Sequence, residues 1–488
     1  MTIFSDLVLN PIFFAVELEL LVRLAESQIP TTTLTCSGLL PWCFQNTRHS
    51  KLACQMCISN REKGQNRASL GWHKDYELNM PVDRKNALTE IAEGMIKKYR
   101  FSSELEDLRY KEVLIGPGII ATLSFTLKTS NVELASCKNL ALNLLLTSLI
   151  IVEVLPEAFV LLAPDALVVG NGRLASNWTA SRVAESMGIK VFAYENLPTQ
   201  SFYLAPASPA GALENVQTSL NHFSQILFDG DHLADAESFF ERQRFPGSHK
   251  KEIPALTDKN IFLGLQTRGN LPTGFSKNHR NVAIFLSSEW EYAGLPEWKN
   301  RLGSSQGEII KELLEDKNLS PEIIVWIRFH PHQRSVQHEI DLVMSLLGEN
   351  CRYIFPDEEV DSYALLEACE KIITFGSTMG AEATFWGVPS ILCGRSEYET
   401  LDATYNPQSN GELVDLINGD IIAKDRLKIL PYGLLRLMRG IDWKYAEINY
   451  PSYPIIQGKS SSTVTVRILD FLKRFFRKIQ NGLPRLPR

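Results

Sequence analysis

The chain has 488 residues, 44% hydrophobic and 22% charged, with a net charge of −6 and a pI near 5.9. That length and apolar content suffice for two cores of ordinary size, and the acidic balance argues against a nucleic-acid binder driven by counterion release. The opening MTIFSDLVLNPIFF, with no basic n-region and an acid at Asp6, predicts no secretory leader and hence a cytoplasmic chain with reduced thiols.

In chain order, the pattern predicts a short buried strand at Leu7-Val8-Leu9, an amphipathic helix from Ala15 to Glu26 and a strand from Thr31 to Thr35, a doubly wound β-α-β opening. A polar, cysteine-bearing excursion, 36–74, interrupts it. Helices then dominate to about Leu162. The most apolar run, Asn139 to Val152, is broken by Glu153 and falls short of the roughly 20 residues of a membrane span, so it is expected as a core helix. A strand at Ala166–Val169 leads into Asn171-Gly172-Arg173, followed by a helix (Thr179–Met187) and a strand (Lys190–Tyr194). Residues 211–245 have helical spacing, and 246–280 form a polar connector. From Asn281 to about Asn418 strands and helices alternate again. The expected fold is α/β with two Rossmann-like domains facing a cleft. The divisions are 1–210 (acceptor domain, with the cysteine-rich insertion 36–74), 211–280 (helices and connector), 281–440 (nucleotide-binding domain) and 441–488 (C-terminal extension).

Chemistry gathers at predicted strand ends of the second domain. Ile372–Phe375 is a buried strand, Gly376-Ser377-Thr378 its turn, and Met379 to Trp386 the helix that follows. A helix start of this kind offers backbone N–H groups, two hydroxyls and the positive end of the helix dipole to a phosphate. Glu382, one turn deeper on the same side, is placed to accept from ribose hydroxyls. An ordinary turn in which Ser and Thr only cap the helix has the same sequence. The strand Ile323–Ile327 delivers Arg328, a planar fork for phosphate oxygens, and His330, a directed donor, with Pro331 fixing the chain direction. Ser287 and Ser288, ending the strand Val282–Leu286, are expected to line the same cleft. Tyr363, opening a helix, is read as a base-stacking ring or a core residue.

These stretches, VWIRFHPHQ and DSYALLEACEKIITFGSTMGAEATFWGVPSILCG, resemble bacterial capsule and surface-polysaccharide glycosyltransferases of the GT-B type, whose His-Pro and Ser/Thr motifs hold a nucleotide. VAIFLSSEWEY, DALVVGNGR and MGIKVFAYEN extend the resemblance over most of residues 5–410. It implies a glycosyltransferase that uses a nucleotide-sugar donor as co-substrate and needs no metal for chemistry. Where that family carries a glycine soon after the glutamate of its E-x-G loop, this chain reads Glu195-Asn196-Leu197.

A GT-B enzyme needs a base for the acceptor hydroxyl and donors for the leaving phosphate. Glu195, following a strand, is the candidate base, and His330 serves the leaving group. Asn171 and Arg173 are candidate acceptor or donor contacts. The bland reading makes Asn171-Gly172 a turn, pairs Arg173 with a surface acid and leaves Glu195 solvated.

Four of the eight cysteines fall as Cys36-x6-Cys43-x10-Cys54-x2-Cys57, a spacing that suits a tetrahedral structural ion, zinc by default and an iron–sulfur cluster second. Reduced loop cysteines, or a redox pair at Cys54 and Cys57, are the alternatives. At the other end, RILDFLKRFFRKIQNGLPRLPR (467–488) has one apolar helical face flanked by basic residues. It suits either an anionic membrane surface or a terminal helix packed on the first domain. The membrane reading would make the protein peripheral on the inner face of the plasma membrane.

The leading reading is transfer of a sugar to a surface polysaccharide or lipid-linked glycan. A CDP-alcohol-dependent polyol-phosphate transferase and a non-catalytic scaffold of a polysaccharide assembly complex are the alternatives.

Overall fold

A computed structural model describes residues 1–68, 71–197, 201–206, 209–230, 232–245, 266–330, 343–345, 350–448, 454–456 and 458–460. Pro331, most of the 246–280 connector and the basic tail lie outside them.

The first sheet is built around β1 (Thr2–Ser5), which pairs in parallel with β2 (Thr31–Thr35) on one side and β6 (Ala166–Gly170) on the other. The apolar triplet Leu7-Val8-Leu9 is therefore not a strand. It lies in the turn after β1, and α1 (Pro11–Glu26) starts at once, with Asn10 accepting from the Ile12 and Phe13 amides and Pro11 at the first helical position. β3 (His73–Glu77) extends the sheet beyond β2, and the hairpin β4 (Arg109–Tyr110) and β5 (Val113–Leu114) stands apart. On the far side come β7 (Lys190–Leu197) and, antiparallel, β8 (Ser201–Ala205).

The segment 36–74 is the crossover from β2 to β3 and contains α2 (Lys51–Ala68), so the cysteines sit on a regular element of the sheet and not in an inserted module. α1 and α2 cover one face. α3 (Val82–Ile96), α4 (Gly116–Leu127), α5 (Lys138–Leu162) and α6 (Ala175–Ser186) build the larger core on the other. Leu134–Leu162 is long and apolar enough to cross a membrane, with mean hydropathy 2.2, but 78% of its most apolar window is buried within the protein, as expected of a core helix.

The second sheet is all parallel, in the order β11 (Cys351–Ile354), β10 (Ile323–Arg328), β9 (Arg280–Phe285), β12 (Lys371–Thr374), β13 (Ser390–Leu392). β9, β10, β12 and β13 are mainly apolar runs buried on both faces, the pattern that a helix-covered parallel sheet dictates, while edge strand β11 exposes Arg352. A helical layer joins the two sheets: α7 (Leu213–Ile226) and α8 (His232–Arg244) pack on α13 (Leu430–Met438), whose chain continues into β14 (Ile441–Asp442) at the edge of the first sheet. The return is fixed by Glu19 of α1, fully buried, whose carboxylate accepts from the Lys444, Tyr445 and Ala446 amides at 2.9, 2.7 and 2.8 Å.

Candidate active site

In both sheets the central strand is flanked by strands of opposite winding, so a crevice opens at the carboxyl ends of β9 and β12 in the second sheet and of β1 and β6 in the first. In the second sheet this crevice is a cavity of about 430 Å³.

One end of it is made by the turn after β12. Gly376 has φ +124°, and a Cβ there would stand 2.5 Å from the Arg395 carbonyl oxygen, so only glycine permits the turn. Ser377 caps α11 (Thr378–Phe385) by accepting from the Met379 amide at 3.3 Å, and the Tyr398 hydroxyl donates to the Ser377 carbonyl at 2.6 Å. Across the cavity Ser288 Oγ is 3.1 Å from His330 Nδ1, which sets the imidazole at the end of β10. Glu382, 3% exposed, accepts from the Tyr363 hydroxyl. Burial, then the carboxylate, pushes the Tyr363 phenol far above its ordinary pKa, so it keeps its proton and donates.

Gly376, Ser377, Thr378, Glu382, Tyr363, His330, Ser287 and Ser288 therefore all line one cavity. Arg328 lines it too, but its fork is engaged: Nη1 donates to Phe355 O at 2.9 Å, and Nη2 to Glu358 O and Val360 O at 3.4 and 3.5 Å. The Arg328 guanidinium thus faces protein carbonyls in this structure, where the sequence reading expected a phosphate. Glu289, at the end of β9, is likewise turned to the Gln306 amide and the Asn300 side chain.

Several residues that local patterning did not mark complete the wall. Ser362 is 4% exposed, and its hydroxyl, like that of Ser287 at 6%, has no protein partner among the described residues. Arg436 of α13 reaches the cavity, its Nη1 3.2 Å from Glu397 Oε2, and Glu291 enters from the loop after β9. Ser362 and Glu291 fall within stretches already singled out, DSYALL and VAIFLSSEWEY, but no local pattern marks these individual side chains, and none marks Arg436. Arg436 stands on a helix more than a hundred residues downstream of His330.

In the first sheet Asn171 takes the left-handed conformation (φ +55°), its Oδ1 accepts from the Arg173 amide at 3.1 Å and its Nδ2 donates to Glu195. Asn171 is thus spent on shaping the turn and holding the carboxylate. β7 runs on to Leu197, so Glu195 lies inside a strand, opposite Tyr203, one residue past the level where β6 ends. Burial raises the Glu195 carboxyl to about 7 against the pull of Asn171, the Asn196 amide, Arg439 and Arg173. Arg173 crosses to the second unit and donates to Trp290 O at 2.7 Å. Burial lowers its pKa to about 10, against the opposing pull of Glu291, so it stays a cation at neutral pH. The same bridging loop presses Gly294 (φ +79°) onto α4, where a Cβ would stand 2.3 Å from Pro117 O.

Cys36, Cys43, Cys54 and Cys57 do converge, on a small cavity at the ends of β1 and β2. All four are free thiols, and among the described residues no three His, Cys, Asp or Glu side chains form a ready metal-binding group. The tetrahedral set expected from the spacing is not assembled.

Two Rossmann-like units with a nucleotide-sized crevice at the strand ends define a GT-B fold. Residues 300–410, which hold the His330 and Gly376-Ser377-Thr378 motifs, match the family of capsule polysaccharide biosynthesis proteins, the family read from those motifs. No protein of curated function matches the chain. Among solved structures, it is similar to two Thermosulfurimonas dismutans KpsC proteins, a β-Kdo 2,4 transferase and a β-Kdo 2,7 transferase. The first has 16% identity, covering 62% of this chain and 85% of that one, with TM-score 0.35, and the second 14%, 65%, 88% and 0.34. A UDP-GlcNAc 2-epimerase from Neisseria meningitidis bound to UDP-GlcNAc is also similar, at 13% identity, 97% and 99% coverage and TM-score 0.21.

Proposed function

We propose that the protein transfers a glycosyl group from a nucleotide-sugar to a hydroxyl of a surface polysaccharide or lipid-linked glycan. The observation that carries this reading is the convergence on one cavity of a glycine-gated helix start, an oriented histidine and two hydroxyls without partners among the described residues. The amides and hydroxyls of Ser377 and Thr378 take the phosphate nearest the sugar, and His330 donates to it as it leaves. Glu382, steadied by Tyr363, accepts from the ribose. The acceptor oxygen bonds to the anomeric carbon while the bond from that carbon to the phosphate oxygen breaks with its electron pair, and Glu195 takes the acceptor proton. Its carboxyl, raised to about 7, is matched to that task. In this scheme the chemical step uses no metal ion. Arg436 supplies positive charge to the donor in the place Arg328 leaves.

The test is thermal stability against UDP, GDP, CMP and CDP and their sugar conjugates. A ligand at a hundred times its Kd should stabilise the protein by about 2.7 kcal/mol. If none of the panel shifts the transition, the transferase reading falls and a non-catalytic role takes its place.

A further inference from the structure

The crossover from β2 to β3 places four thiols on one wall. Cys36 directly follows β2, Cys43 lies in the loop beyond, and Cys54 and Cys57 are three apart on the first turns of α2, so they share a helix face. The loop is pinned to that face. The Asn46 side chain accepts from the Ser50 amide at 2.8 Å and donates to Cys54 Sγ at 3.3 Å, and Gly38 (φ +88°) lies close enough that a Cβ would be 3.9 Å from the same sulfur. The cavity between them is about 30 Å³, room for a single ion or water.

A second feature bears on what belongs there. Arg61, one turn beyond Cys57 and lining the same cavity, is 2% exposed, and its Nε has no partner among the described residues. Its ion pair with the mostly exposed Glu77 is long at 3.7 Å, and Glu17 and Asp75 lie within electrostatic reach without pairing with it directly. A buried guanidinium so weakly paired is costly unless negative charge comes to it. Thiols are neutral and do not supply that charge. Thiolates on a divalent ion do, since four of them leave a net charge of −2 on the centre. Asp6, also on the wall, is already held by Ser176 and Asn177.

We propose that this cavity is a zinc site closed by the ion: Zn²⁺ draws Cys36, Cys43, Cys54 and Cys57 inward, each thiol gives its proton to solvent, and Arg61 balances the resulting anionic centre. The site is structural. Phe44, next to Cys43, stacks edge-on against Phe125 (centroids 5.2 Å), and Phe125 against Trp290 (5.4 Å), the residue whose carbonyl Arg173 grips. Closing the thiol cavity therefore braces the loop that supports the bridge between the two units.

The experiment uses the full chain, purified under reducing conditions, and stands apart from any transferase assay. Elemental analysis should find about one zinc per chain, lost in Cys36→Ser and Cys54→Ser and kept in Cys137→Ser, a thiol outside the cavity. Exchange with Co²⁺ should give thiolate-to-cobalt charge-transfer bands. In case the serine variants fold poorly, wild-type protein is alkylated with iodoacetamide and mapped by mass spectrometry. The four cavity cysteines should be protected until a chelator is added. A chain that is metal-free and takes up neither Zn²⁺ nor Co²⁺ overturns the proposal. So does zinc that persists in both serine variants, or iron with acid-labile sulfide in its place.

Discussion

Ser288 Oγ stands 3.1 Å from His330 Nδ1, joining the ends of two neighbouring parallel strands across the mouth of the cavity. This hydroxyl is one contact that sets the direction of the imidazole. His330→Ala should lower turnover by about 3 kcal/mol of transition-state stabilisation, the scale of a lost leaving-group donor, with the thermal transition unchanged. Ser288→Ala leaves the imidazole and removes only its orientation, a loss of about 1 kcal/mol, or roughly fivefold in turnover. Equal losses in the two variants would show that His330 acts only through the Ser288 contact.

The Tyr363–Glu382 pair makes a second, separable prediction. Glu382→Gln should weaken nucleotide binding by about 1–2 kcal/mol, the scale of a charged hydrogen bond, while binding of pyrophosphate, which lacks the ribose, is unchanged. Tyr363→Phe should give a smaller loss of the same kind. Calorimetric titration of each variant with both ligands decides the matter. Equal weakening of both ligands would place Glu382 at the phosphate instead.

Much of this site was legible because its parts are local. Each of β9, β10 and β12 is a buried apolar run followed at once by residues that line the cavity, so strand, turn and side chain are read together from a dozen positions. Where burial does not follow hydrophobicity, reading fails. β1 is Thr-Ile-Phe-Ser, buried at all four positions because it lies between two parallel neighbours, while the apolar triplet after it is a turn. α2 was invisible because its buried face includes Asn60, Arg61 and Gln65, leaving no apolar period to detect. The carbonyls that engage the Arg328 fork were not foreseen because they lie on a loop about thirty residues away. Arg436, Glu397 and Ser362 reach the cavity only through tertiary packing.

Gly376→Ala tests whether the turn itself is required. The added Cβ meets a backbone oxygen at 2.5 Å, which no side-chain rotation relieves. The turn must shift, at about 1–3 kcal/mol of stability, and nucleotide affinity should fall with it. Gly387→Ala is the control: φ is +79° but nothing lies within 4 Å of the new atom, so it should cost stability without a specific loss of binding.

Glu195 predicts the pH profile. As a base it must be ionised, and burial holds its pKa at about 7. kcat/KM should therefore fall about tenfold per pH unit below that value and level off above it. Glu195→Gln should remove the acid limb together with most of the activity. Asn171→Ala removes a hydrogen bond that favours the carboxylate, so the limb should move to higher pH. A limb that stays in place in Asn171→Ala would assign it to another group and remove Glu195 as the base.

Glu17 makes a prediction about stability alone. It is fully buried on α1, accepts from Ser5 Oγ at 2.6 Å and Gln65 Nε2 at 3.2 Å, and burial raises its pKa from 4.5 to about 7. The folded chain thus binds this proton more tightly than the unfolded chain. Its contribution is complete below pH 4.5, declines as pH rises, and is gone above 7, a swing on the order of 3 kcal/mol. Glu17→Gln keeps an acceptor for Ser5 and carries no titrating charge. Its denaturation free energy should match the wild type near pH 4 and exceed it at pH 8. Asp6, raised to about 6, has the same sign and itself helps to raise Glu17, so the difference also carries the loss of that repulsion in the variant. A variant with no advantage at pH 8 would mean that Glu17 is ionised and stably paired in the fold.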